Sequence, residues 1–536
     1  MKKLIFLSFL VSCFYLSSQT ASRPENWFNL SPDKDSVPGV GTEKSYLELL
    51  QSKTPTAVIV AVLDCGVDFN HEDLKEVMWT NPGEIPANGI DDDKNGYTDD
   101  IHGWNFIGGK DGKNVEFDNL EMTRLYRKLK PVYETADPKA LKGKSQQEEY
   151  RFFLRVKADY YANIETYAGN YTQLKDMASR YTLLYQNITS QLKVDSASLN
   201  DLQNYTSTNA SEMKTKIEVM RFLKSGAAPH LAALIRGINE AFGFYKSYME
   251  YSLNLDYDPR TIVGDDYSNP YERYYGNADC KGPDSFHGTH VAGIIAAKRK
   301  NGIGMDGIAG SVKIMSIRCV PNGDERDKDV ANAIIYAVDN GAKILNMSFG
   351  KKYTWDKQAV DAAIQYAESK DVLIIHGAGN DHAYIDTIPH YPNRKYSTRG
   401  EAGNFIDVGA ISWKGKEELA ADFSNYGKKS VDLFAPGVDI YSTAPENTYK
   451  DASGTSMAAP VVAGVAAVLK SYYPDLTAQD IKKILLKSSL KTQHDQMVHK
   501  PGSEDLVKFS TLSKTGGIVN LYEALKLAAR YSKIKP

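Results

Sequence analysis

The chain predicts an α/β fold, a doubly wound and mostly parallel sheet flanked by helices, with an α-helical subdomain inserted in it. Three observations carry that expectation. An apolar, β-branched run at 57–63 has no polar face, as a strand buried on both sides requires. From residue 285 onward, strand-like and helix-like segments alternate, the pattern that builds parallel sheets. Between these regions the texture changes to dense charge and tyrosine, with no proline between Pro138 and Pro229 and glycine only at 143, 169 and 226. That middle stretch predicts helices. The expected organisation is a signal at 1–21, a first part of the sheet domain at 22–117, the helical insertion at 118–265 and the rest of the sheet domain at 266–536.

In chain order, the N-terminus carries Lys2 and Lys3 followed by an apolar run over 4–16, the charge and length of an export signal and too short to cross a bilayer. The predicted destination is periplasmic or extracellular. Leu10-Val11-Ser12-Cys13 also resembles a lipobox, so a lipid anchor at Cys13 stays open as an alternative. With 64 Lys plus Arg against 67 Asp plus Glu, the net charge of -3 offers no field for nucleic acid or an anionic membrane. Cys65, Cys280 and Cys319 remain after export, an odd set that argues against a disulfide framework.

In the helical stretch, Tyr150, Phe153, Leu154, Ala158, Tyr161, Ile164, Ala168, Tyr171 and Leu174 recur at spacings of three and four. They are expected to form one buried helix face. Beyond it, predicted strands at 312–320, 344–348 and 372–378 alternate with predicted helices at 329–342 and 355–370, and a long helix begins near Thr455. Chemistry in such sheets sits at the carboxyl ends of the strands.

Three residues stand where that rule places function. Asp64 directly follows the 57–63 strand, where it either caps a turn or holds a partner. His287 opens a helix of small residues with His290 three positions on, and no glutamate completes a zinc motif. Ser456 follows Gly454-Thr455 at the start of another small-residue helix, as an N-cap or as a nucleophile at the positive end of the dipole. A nucleophilic serine needs a base, and the base needs an acid to hold its tautomer. The order Asp, His, Ser is the order of subtilisin.

Val62-Leu63-Asp64-Cys65-Gly66-Val67-Asp68, His287-Gly288-Thr289-His290-Val291-Ala292-Gly293 and Gly454-Thr455-Ser456-Met457-Ala458-Ala459-Pro460 together resemble the signature blocks of the subtilases, the subtilisin-like serine proteases. The resemblance covers about 25–107 and 270–490. It implies a serine endopeptidase acting on protein or peptide through an acyl-enzyme, with Asp64, His287 and Ser456 as triad. It also assigns Asn380, in His376-Gly377-Ala378-Gly379-Asn380, to the oxyanion hole, where loss of one donor costs on the order of a hundred- to a thousandfold in rate. Ser348, Phe349 and Gly350 match the edge to which an extended substrate adds. The opposite edge is expected near 321–326, where Asp324-Glu325-Arg326-Asp327 forms either charged subsites or a solvated loop. A transpeptidase using the same acyl-enzyme and a non-catalytic peptide-binding protein are the rival readings.

The stretch 88–100 is rich in Asp, Asn and Gly but has His102 where an EF-hand needs its bidentate acid. Structural calcium bound by Asp91, Asp93, Asn95, the Tyr97 carbonyl and Asp99 fits what the resemblance implies, and a metal-free loop is the alternative. Two departures from the family stand out. Asp64 and His287 lie much further apart than the family's few tens of residues, so the helical segment falls between them and is expected to limit access or dock a partner. The stretch between the expected signal and Asp64 is too short for the usual prodomain, so activation by loss of a large propeptide is not expected. Cys65 takes the place of the family's Ser or Thr and is expected to be a buried, inert thiol.

Overall fold

The computed structural model describes residues 23–492 and 496–531. The expected signal and Cys13 lie outside them. Two compact units divide the chain: 122–257 within one, and 23–121 with 258–531 within the other.

The larger unit is built on a nine-stranded sheet. Its strands are β1 (Val58–Asp64), β2 (Gly103–Asn105), β3 (Val312–Arg318), β4 (Ile344–Met347), β5 (Leu373–Gly377), β6 (Phe405–Ile411) and β7 (Leu433–Pro436). β10 (Leu490–Lys491) and β13 (Gly517–Ile518) complete it, in the order β10-β13-β7-β6-β5-β4-β1-β3-β2. Every pairing is parallel except β10 with β13. The hairpins β8 (Ile440–Ala444) with β9 (Thr448–Ala452) and β11 (Met497–His499) with β12 (Leu506–Lys508) stand apart from it.

β1 shows why the sequence lacks a polar face there. Val58, Val60 and Val62 enter one hydrophobic core and Ala61 and Leu63 the core on the opposite side. Helices fill both: on the first side Phe286–Ala296 and Thr455–Tyr472, on the second Asp327–Asp339 and Lys357–Ser369. Thr455–Tyr472 is apolar enough to span a membrane by composition, but 83% of it is buried in this core. Its alanines and Gly464 let it lie close to β4–β7; a Cβ on Gly464 would come within 2.8 Å of Ile308 Cβ. The predicted strands of this region and the helix expected at 355–370 appear with ends trimmed by at most two residues, while the helix expected at 329–342 starts two residues earlier and ends three residues earlier.

The chain places β3 on one side of β1 and β4 on the other, so the strand order reverses at β1. Register then brings the strand ends level: Asp64 faces Arg318, and Leu63 faces Met347. A crevice opens at the carboxyl ends beside such a switch point.

The unit 122–257 is helical, with Lys144–Leu192 as its longest element beside Ala210–Lys224 and Leu231–Ser247. Its core gathers Leu174, Tyr181, Leu184, Val219, Leu231 and Ile238. The expected stripe needs correction at its N-terminal half. Phe153 and Leu174 are buried, but Leu154, Ala158 and Tyr161 are exposed, and Val156 and Tyr160 are buried in their place. Apolar residues occupy two neighbouring faces of this helix, and packing chose between them: Tyr126 stacks on Tyr160 and Phe153, at 4.7 and 6.0 Å between ring centres. Spacing alone could not identify the partner ring.

Candidate active site

Asp64 ends β1 and is 2% exposed. Its carboxylate accepts the Cys65 amide at 2.7 Å and faces His287 Nδ1, at 2.8 Å from Oδ1 and 3.0 Å from Oδ2. His287 is the second residue of its helix, and Gly288 lets that helix approach: a Cβ there would lie 2.2 Å from the Gly66 carbonyl oxygen. Enclosure alone would lower the pKa of His287. The charge and hydrogen bond of Asp64 outweigh it and hold the ring above its ordinary 6.5. His290 is fully buried, contacts the Lys450 carbonyl at 3.0 Å, and is pushed down to about 4 by burial. This contact gives His290 a partner within the fold.

Ser456 is the second residue of the helix Thr455–Tyr472. Its Oγ donates to the Ser348 carbonyl at 3.0 Å, and Ser348 Oγ donates back to the Ser456 carbonyl at 2.9 Å. This pair locks the start of the helix to the end of β4. Asn380 Oδ1 accepts from the Thr455 amide at 2.9 Å and its hydroxyl at 3.0 Å. An amide N–H can only donate, so this contact fixes the oxygen of Asn380 and leaves Nδ2 as the donating end. Ser348, Phe349, Gly350, Asn380 and Ser456 all line one cleft of about 270 Å³.

His376 supports that cleft from beneath. Its Nε2 meets the Phe349 carbonyl at 2.9 Å and its Nδ1 meets Asp407 at 2.8 Å. Burial alone would raise the pKa of Asp407, but the Arg394 guanidinium and His376 hold it at about 2. Lys351 pairs its backbone with Tyr391 in both directions, at 2.8 and 2.9 Å, an isolated antiparallel bridge that ties the segment after β4 to the 391 loop. The preceding residue, His390, also lines the cleft. Sequence reasoning missed His390, because it lies in a loop without periodicity or motif.

The run 324–327 is not a solvated loop. Glu325, Arg326 and Asp327 are 2–3% exposed. Arg326 grips Asp118 at 2.6 and 2.9 Å, and Asp327 pairs with Lys351 at 2.7 Å. Ion pairing within a polar interior, invisible in the sequence, buries what composition would leave in water. Asp324 and Glu325 do line the cleft. Cys65, Cys280 and Cys319 are free thiols; Cys280 and Cys319 are buried, whereas Cys65 is half-buried rather than buried as expected, and desolvation with the charge of Asp64 raises its pKa well above the ordinary value.

The acidic loop gathers differently from the expected set. Carboxylate oxygens of Glu84, Asp93 and Asp100 lie within 4.8 Å of one another, the cluster of this kind among the described residues. Of the five expected ligands, only Asp93 belongs to it. Asp91 accepts the amides of Asn95 and Gly96, Asn95 Oδ1 accepts the Tyr97 amide, and Asp99 turns away to the amides of Asn88 and Gly89. Glu84, ahead of the motif in sequence, comes in because its carboxylate accepts the amides of Asp92, Asp93 and Asp99.

The model of the Subtilase family matches residues 56–505. The chain belongs to the subtilase family. Among curated relatives, this subtilase is 40% identical over 186 residues to the thermophilic serine proteinase of Bacillus sp. (strain AK1), covering 34% of this chain and 42% of that protein. It is 39% identical over 186 residues to thermitase of Thermoactinomyces vulgaris, 34% of this chain and 61% of thermitase. Subtilisin DY of Bacillus licheniformis is 36% identical over 202 residues, 37% of this chain and 68% of the relative. The chain thus spans less than two thirds of the first two relatives it matches.

Proposed function

We propose that this subtilase is an exported serine endopeptidase that hydrolyses peptide bonds with Ser456 as nucleophile. The hydrogen bond between Asp64 and His287, at 2.8 Å, carries the reading. It fixes the imidazole tautomer in which Nε2 is the free base. Ser456 Oγ attacks the substrate carbonyl while its proton passes to His287 Nε2, and Asp64 stabilises the imidazolium formed. The oxyanion takes hydrogen bonds from Asn380 Nδ2 and the Ser456 amide, donors already held in place by the Thr455 contacts and the helix start. Collapse expels the amine, protonated by His287. A water, deprotonated by the same ring, then releases the acyl group from Ser456.

Substrate binds as an added strand along Ser348-Phe349-Gly350, so affinity comes from main-chain hydrogen bonds. The apolar run at 4–16 after Lys2 and Lys3 supports export, with lipidation at Cys13 as the anchored form. Three carboxylates in reach of each other suit a hard cation, and calcium at Glu84, Asp93 and Asp100 would serve a structural role.

The decisive experiment compares the parent with Ser456→Ala on casein and with a serine-directed fluorophosphonate probe. The parent is expected to cleave and to be labelled, and the variant to do neither. Equal cleavage by the two, or no labelling of the parent, would sink the mechanism.

A further inference from the structure

His376 lies on β5 immediately before Gly377 of the Ser456 cleft and is fully buried. Each of its ring nitrogens faces a group with no hydrogen to give. Nε2 is 2.9 Å from the Phe349 carbonyl oxygen, and Nδ1 is 2.8 Å from Asp407 Oδ1. The other oxygen of Asp407 is gripped by Arg394 at 2.5 and 3.1 Å. Against burial, the guanidinium and His376 hold this acid at about 2, so it stands as a carboxylate. Carboxylate and carbonyl both only accept, and a neutral imidazole has a single N–H. A neutral ring would therefore set a lone pair against an oxygen at one of the two contacts.

The charges around the ring agree. Asp407 and Asp432 bring two negative charges into the interior, and Arg394, 2.5 Å from each, brings one positive charge. A second positive charge on His376 balances the four groups, where an unmatched buried carboxylate would be costly. The His390 ring, centred 5.6 Å away, is kept neutral because burial and His376 push its pKa down to about 4. Lys482 is half-buried, its pKa lowered by burial, and it feels Asp432 more strongly than Asp407, the acid that touches His376. The Phe405 ring, centred 5.4 Å away, adds no charge.

The Phe349 carbonyl belongs to the middle residue of the edge along which substrate is proposed to add. In a trans peptide the next N–H points opposite to the carbonyl. The bond that seats the Phe349 carbonyl on His376 thus turns the Gly350 N–H away from the buried ring, as a donor for an added strand.

Resting on the peptidase reading above, we propose that His376 carries a hydrogen on both ring nitrogens and, as that cation, is a positioning residue that fixes the Phe349–Gly350 peptide for substrate. It makes and breaks no bond.

The charge is read from the nitrogen spectrum of histidine-labelled parent protein at about pH 8, where an ordinary imidazole, with a pKa of about 6.5, is neutral. Both nitrogens of His376, assigned by the signal that His376→Gln removes, are expected to be of the protonated type; one bare nitrogen overturns the inference. The positioning role is read with two p-nitroanilides, a tetrapeptide and a single residue too short to add a strand. His376→Leu should lower kcat/KM for the tetrapeptide by about tenfold or more, the scale of one charge-assisted hydrogen bond, mainly through KM. The short substrate should change by less than about twofold. His376→Gln, which keeps an N–H for the carbonyl, should recover part of the loss. An unchanged tetrapeptide rate in His376→Leu shown folded by circular dichroism, or an equal loss on both substrates, would also overturn it. If His376→Leu does not fold, His376→Gln carries the comparison and the parent's spectrum still decides the charge. The spectrum needs no turnover, so its failure leaves the peptidase reading standing. No cleavage of either anilide together with no fluorophosphonate labelling removes that reading and the positioning role with it.

Discussion

Asp64 and Ser456 each begin as an ordinary cap and acquire a different meaning through one neighbour. For Asp64 the neighbour is His287, whose pKa it holds above 6.5 against the opposing effect of enclosure. The sign of the consequence is fixed. A general base must be unprotonated, so activity is lost as pH falls through the raised pKa of His287. The acid limb of the kcat/KM profile is therefore expected above pH 6.5, read with an uncharged anilide substrate. A limb clearly below 6.5 would contradict the assignment of His287 as base. For Ser456 the neighbour is Ser348, whose carbonyl receives the serine hydroxyl at 3.0 Å. That contact sets Ser456, the proposed nucleophile, against the edge along which substrate is proposed to lie.

At the scale of elements, the cleft depends on strands tied together by buried charge. Arg394 reaches Asp407 on β6 and Asp432 just before β7, at 2.5 Å to each, and Asp407 in turn holds His376 on β5. All four side chains are buried. Removing the cation from such a cluster leaves two carboxylates without compensation, which costs about 3–5 kcal/mol. Arg394→Ala is expected to lower the urea midpoint correspondingly, and an unchanged midpoint would show that the network carries no stability. Asp407 titrates at about 2 in the folded chain against an ordinary 3.8. Its contribution is therefore complete above pH 3.8 and is lost as pH falls through about 2.

Across the whole molecule, global stability is where a structural cation would be felt. Asp100 is buried, accepts from Asn81 at 2.6 Å and from Tyr336 on the helix Asp327–Asp339 at 2.5 Å, and shares the carboxylate cluster with Glu84 and Asp93. Calcium bound there would hold the 81–100 loop to the second core. A ligand that binds only the folded state at a hundred times its Kd adds about 2.7 kcal/mol. Millimolar calcium is expected to raise the Tm and chelation to lower it, with Asp100→Asn abolishing the difference. Equal melting with calcium and with chelator would argue against the site.

The sequence by itself determined the sheet domain and the residues at its switch point. β1 had to be buried because no face of 57–63 is polar, and Asp64, His287, Asn380 and Ser456 sit at element ends that local spacing marks. Local signals of this kind survive without any knowledge of partners. Tertiary structure decided what depends on pairs far apart in the chain. Phe153 and Tyr160, rather than Tyr161, face inward because Tyr126 lies there; Glu84 joins Asp93 and Asp100 because a turn folds back on it; Arg326 is buried because Asp118 waits across the fold. Above all, only the packed chain put His390 in the wall of the same cleft as Ser456, since neither periodicity nor motif marks a loop residue whose partners are other loops.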